Sequence, residues 1–226
     1  NMHFFYNRSA FRLLVGEIPN CFIALVLYFS PNNSIFEIDL AENICRRMAD
    51  IEYYVSEIRV VLKQRRNLWD EAILAGTLLV SYYMACKSLF DSVAITLNYI
   101  YKLNLSEKEQ DFSKEKIWKI LKLMNEGVFN NYSKFKNLNY EIRDWRDTAV
   151  HRVTPFVIVV GPGNPGVIPG KKFDIKLVAE RGAYMNALVK RKNKPKFFNP
   201  LYHHSKWRKS LLKLCEQACE DIGNSL

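Results

Sequence analysis

Apolar residues recur at spacings of three and four along the first part of the chain. Leu40, Ile44, Met48, Ile51, Val55, Ile58 and Leu62 form one such series, and Asp39 stands three before Glu42 in a capping-box-like start. An amphipathic helix is predicted there. A second helix is predicted over about 70–103, and its apolar residues occur nearly all round, which suits the centre of a bundle. Its polar exceptions are Lys87, Ser88, Asp91 and Ser92. Ser113 is placed to cap a third helix, in which Ile117, Ile120, Leu121 and Met124 make one stripe before Gly127. A fourth covers about 138–152 and is closed by Pro155, because the residue before a proline is pushed out of the α region.

The pattern then changes period. Residues 157–160 are a continuous β-branched run, and residues 172–178 alternate Phe173, Ile175 and Leu177 with polar partners around a Gly/Pro-rich loop at 161–170. These features predict a β-hairpin appended to the bundle. The loop glycines match no phosphate-cradling motif. Ahead of the first helix, residues 1–38 are aromatic and irregular, with a short strand expected near 22–28 and a turn at Pro31-Asn32-Asn33. A basic amphipathic helix over about 202–222 offers Leu211, Leu212, Leu214, Cys215, Ala218 and Ile222 for packing. The expected fold is therefore mainly α: an antiparallel bundle of four to five helices with an appended β-hairpin and a short N-terminal strand. Its segments are 1–38, 39–152, 153–180 and 181–226, within one domain overall.

Composition adds a bias in charge. The chain of 226 residues carries a formal net charge of +10, with a mean hydropathy of -0.16. Residues 181–215 contain ten Lys or Arg and no Asp or Glu, so this block accounts for the whole excess. Such a block attracts polyanions through phosphate neutralisation, and it equally suits a solvated face or a dimer rim. Five cysteines at long, irregular gaps make no disulfide framework and fit a reducing cytoplasm. Cys215 and Cys219 lie four apart with His203 and His204 upstream, but the spacing matches no standard zinc pattern and reads better as structural cysteines. The apolar run at 21–29 has no small-residue cleavage site, and residues 72–86 are only fifteen uncharged positions. Neither is expected to cross a membrane.

The one chemically specific segment is Arg146-Asp147-Thr148-Ala149-Val150-His151. Asp147 and His151 are four apart, so on a helix they share a face on which a carboxylate can orient an imidazole. Arg146 is five before His151, roughly 140° round a regular helix. Either the helix breaks there or a second copy of the chain completes the site.

These residues resemble the signature of the HEPN (higher eukaryotes and prokaryotes nucleotide-binding) superfamily, an arginine followed after four to six residues by histidine, often with Asn, Asp or His next to the arginine. The resemblance covers about 39–152. It implies a helical bundle that usually dimerises with two motifs facing one cleft, and in many members a metal-independent endoribonuclease. Carried onto this chain, it makes His151 a general acid or base around the ribose 2′-hydroxyl, Arg146 a stabiliser of phosphoryl charge, and Asp147 an orienting group. No cofactor or metal is required for that route.

Lys190, Arg191, Lys192, Lys194, Lys196 and Arg152 are the candidate RNA contacts. Besides RNA, the expected partners are a second copy of the chain and an antitoxin or nucleotidyltransferase. Two further readings stay open: a noncatalytic RNA- or nucleotide-binding module, and a protein-interaction module in which Arg146, Asp147 and His151 are a structural cluster. Lys87 and Asp91 could support a site but read better as a buried pair or interface contact. Trp207 beside His203-His204 suggests a basic aromatic surface on which a base could stack.

Overall fold

A computed structural model describes residues 35–63, 68–151, 156–159, 175–178 and 201–225. The described chain is mainly helical. Its helices are α1 (Ile35–Lys63), α2 (Leu68–Ile100), α3 (Glu115–Met124), α4 (Glu126–Ser133), α5 (Lys136–His151) and α6 (Tyr202–Asn224). Two four-residue strands, β1 (Phe156–Val159) and β2 (Ile175–Val178), pair antiparallel with Phe156 opposite Val178. The expected N-terminal strand and the Gly/Pro loop at 161–170 lie outside the described residues.

Two compact units divide the chain. One takes in the described parts of Asn1–Tyr53, Ala85–Tyr140 and Arg208–Leu226; the other takes in those of Tyr54–Met84 and Glu141–Trp207.

In the first unit, α1 presents Leu40, Ala41, Ile44, Cys45, Met48 and Ile51 to the interior. The helix begins at Ile35, so Asp39 lies inside it and does not cap it. α2 contributes Leu89, Phe90, Val93, Ala94 and Leu97, all fully buried. The aromatic ring of Phe112 meets those of Phe90, Trp118 and Tyr132.

Three local expectations are corrected here. Ser113 does not cap α3; its N–H and hydroxyl both donate to Asp111, at 2.8 and 2.7 Å. The buried stripe of α3 is Ile117, Trp118 and Leu121, whereas Met124 is exposed, because the indole N–H of Trp118 donates to the Phe112 carbonyl at 2.7 Å and turns that side inward. Finally, the chain does not stop being helical at Gly127. Asn125 accepts from the Val128 N–H at 3.1 Å and starts α4, an N-cap that satisfies a donor otherwise left without an intrahelical partner.

α2 ends in a left-handed turn. Lys102 has φ +49°, its N–H donates to the Tyr99 carbonyl at 3.3 Å, and the Leu103 N–H reaches back to the Asn98 carbonyl at 3.1 Å. The Asn98 side chain then accepts from the Leu105 N–H at 2.9 Å, holding the exit of the chain. Glycine is the residue this backbone favours.

Lys87 is the polar exception that matters most in this unit. It is only 4% exposed, and its ammonium donates to Asp91 and, at 3.1 Å, to Asp111. Burial works against ionisation of Asp111, but donation from Ser113 and the charge of Lys87 hold its carboxyl below the usual range. The expected buried pair is thus a buried lysine shared by two partly exposed carboxylates.

By length and composition the segment Ile73–Ile100 is apolar enough to cross a membrane, a test that core helices also pass. Here 56% of its most apolar window is buried by the chain's own packing.

Two substitutions test these readings by denaturation midpoint. Lys102→Gly should raise stability by about 1 kcal/mol, because a side chain in the left-handed region is strained. Lys87→Ala should lower it by about 2 kcal/mol, because the buried lysine stem leaves a gap and the partly buried Asp111 loses its counter-charge. A change below about 1 kcal/mol in Lys87→Ala would show that the shared lysine contributes no more than a surface pair.

Candidate functional site

The Arg146-Asp147-His151 segment occupies the last turns of α5, in the second unit. α5 runs unbroken from Lys136 to His151, so the alternative of a helix break between Arg146 and His151 is not what forms. The two positions therefore lie about 140° apart round one helix. The His151 side chain lies outside the described residues.

Asp147 is shared by two guanidinium groups. Arg146 Nε lies 3.1 Å from one carboxylate oxygen and Arg143 Nε 3.4 Å from the other. All three side chains are partly exposed. A guanidinium has five N–H donors, so a contact through Nε does not exhaust its capacity for a second anion. Arg143 joins the cluster as the residue one turn before Asp147, a spacing that was legible from the sequence. Glu141 is drawn off separately by Lys206, at 2.6 Å.

The opposite side of this helix leads to a nest of rings. Trp145 stacks on Tyr83 and approaches the His203 imidazole, with ring centres 5.8 and 4.3 Å away. Trp207 lies nearly parallel to His203, 4.4 Å between centres, and also stacks on Tyr82. The expected basic aromatic surface is therefore corrected: Trp207 is 1% exposed and His203 2%, with His204 buried beside them. The reason is register. Counting back in steps of four from Leu211 places Trp207 and then His203 on the face that packs inward.

His203 Nδ1 is 2.7 Å from the Tyr83 hydroxyl. Burial, and secondarily the charge of Lys206, push the imidazole down to about 3, so it is neutral at physiological pH. It is a core group with a hydrogen-bond partner.

In the first unit, Cys45, Cys215 and Cys219 bring their sulfur atoms within 4.8 Å of one another, all three buried. No disulfide joins the described cysteines. The same unit holds a buried carboxylate, Asp221, which accepts from the Tyr132 hydroxyl at 2.7 Å and from Gln217 at 3.2 Å. Burial and the charge of Asp221 push the Tyr132 phenol upward, and Tyr101 is pushed up to about 12 for the same reasons.

The candidate RNA contacts Arg152, Lys190, Arg191, Lys192, Lys194 and Lys196 lie outside the described residues. The chain matches no protein-family model, and no curated protein or solved structure matches it.

The buried imidazole gives a measurable pH dependence. Below pH 6.5 the unfolded chain takes up a proton at His203 that the folded chain refuses. Stability should therefore fall as pH drops from about 6.5 towards about 3, at up to about 1.4 kcal/mol per pH unit from this group. Urea midpoints from pH 7 to pH 4 should show that slope in the wild type and a flatter one in His203→Phe. Parallel slopes would refute the assignment.

Proposed function

We propose that the chain is a metal-independent endoribonuclease of the HEPN type that acts as a homodimer in the cytoplasm, in the manner of a toxin or antiphage effector. The observation that carries this reading is the cluster at the end of α5, where a partly exposed Arg146 lies in charge contact with Asp147, 3.1 Å away, on a continuous helix that ends at His151. A guanidinium at this position can stabilise the charge that develops on a phosphoryl group.

In this reading His151 removes the ribose 2′-hydroxyl proton, the 2′-oxygen attacks the adjacent phosphorus, and the 5′-oxygen leaves with a proton supplied by a general acid. The product ends are a 2′,3′-cyclic phosphate and a 5′-hydroxyl. Because positions 146 and 151 lie about 140° apart on one helix, the arginine of one copy serves the histidine of another across a two-fold axis. The basic block at 190–196, together with Arg152, would hold the RNA backbone.

A second reading rests on Asp147. Its carboxylate is engaged by Arg143 and Arg146 together, an arrangement that also suits a phosphate-binding or protein-interaction module without turnover. An antitoxin or nucleotidyltransferase is the protein partner that either reading would accommodate.

One assay separates them. Purified protein should cleave a mixed, end-labelled RNA in EDTA and leave cyclic phosphate ends, and a folded His151→Ala variant should lose about 10²- to 10⁴-fold in rate, with Arg146→Ala losing a comparable factor. Equal or absent cleavage in wild type and variant would favour the binding module, for which RNA affinity should depend on residues 190–196 and not on His151.

A further inference from the structure

We propose that Cys45, Cys215 and Cys219 form a binding site for one thiophilic cation, of which Zn(II) is the best match, held by three sulfur ligands inside the first unit. Cys215 and Cys219 are one turn apart on α6 and so project from one face. Cys45 comes from α1, 174 residues before Cys219 in the sequence, and its sulfur stands 4.0 Å from that of Cys219.

That distance discriminates between uses of the sulfurs. Metal–sulfur bonds of about 2.3 Å place neighbouring sulfurs about 3.8 Å apart in tetrahedral and about 4.0 Å apart in trigonal coordination. A disulfide needs about 2.05 Å, so the Cys45 and Cys219 sulfurs would have to close by roughly half their separation. The Cys45–Cys219 spacing is already that of a ligand pair, and the third sulfur lies within 4.8 Å of both.

Chemistry and burial choose the ion. Sulfur donors select soft or borderline cations over Mg²⁺ or Ca²⁺, which take oxygen. Three thiolates leave a charge of −1 around Zn(II) but −2 around a monovalent ion such as Cu(I), and the smaller charge is cheaper to bury. Hydrogen bonding with Cys215 and Cys219, then burial, pushes the Cys45 thiol upward. Binding replaces three S–H bonds by three S–metal bonds and releases three protons to solvent, with no change of oxidation state. Affinity must therefore rise with pH, by up to about tenfold per pH unit for each proton displaced.

The test uses the full chain, reduced with a phosphine and freed of metal. Cd(II), the spectroscopic stand-in for Zn(II), should produce an ultraviolet thiolate charge-transfer band that saturates at one ion per chain and is abolished by competing Zn(II). Calorimetry in buffers of different ionisation enthalpy should count about three protons per ion. Cys45→Ala should weaken binding by more than about 100-fold, whereas Cys86→Ala, a buried cysteine outside the cluster, should leave it unchanged. No band in the wild type at stoichiometric Cd(II), or an undiminished band in Cys45→Ala, overturns the proposal. If Cys45→Ala does not fold, Cys215→Ser takes its place, and the wild-type titration alone still decides whether the thiols bind.

Discussion

Helix α2 has more apolar surface than one face can hide. Ala75, Leu79, Tyr82 and Tyr83 are buried in its first half, and Cys86, Leu89, Phe90, Val93, Ala94 and Leu97 in its second. At about 25 cal/mol per Å² of apolar area removed from water, covering such a helix is a large favourable contribution to folding. The first half belongs to one compact unit and the second half to the other. Each unit is thus a separate solution to the same problem, and in each the remaining helices are arranged by what they must cover.

Covering an element on all sides encloses polar groups with it, and several of the enclosed groups have acquired a partner of suitable chemistry. Lys87 sits between two carboxylates, Glu52 on α1 is met by Arg208 at 2.7 Å, and Asp221 accepts from Tyr132 and Gln217. His203 stays uncharged beside a tyrosine. These contacts contribute little compared with hydrophobic burial, but losing one partner leaves a desolvated charge or dipole behind, so they specify which packing is allowed.

Much of the architecture was legible because periodicity is a local property. Leu40, Ile44, Met48, Ile51, Val55 and Ile58 are all buried, as their spacing indicates. Local rules failed where one contact overrode them. Asn125, not a long apolar pattern, launches α4, whose eight residues are too few to show a period. Asp111 captures the hydroxyl expected to cap α3. His203 and Trp207 looked like a polar surface because the residue types are amphipathic, although their register with Leu211 placed them inside. Within the candidate site, Arg143 could be found from its spacing to Asp147. Cys45 could not be tied to Cys215 and Cys219, since nothing along the chain shows which distant helix faces α6.

That dependence of both units on α6 bears on how the chain is made. Residues before Arg208 in this helix complete one unit and those from Arg208 onward complete the other, through partners as distant in sequence as Tyr83 with His203 and Cys45 with Cys219. During translation α1 and α2 emerge well before α6. Neither unit can close until that helix has cleared the ribosome, and the nascent chain must carry the apolar sides of α1 and α2 exposed for the interval. Long-range closure of this kind is slow and invites association with other exposed surfaces, so the growing chain is a natural client for chaperones that shield apolar helices.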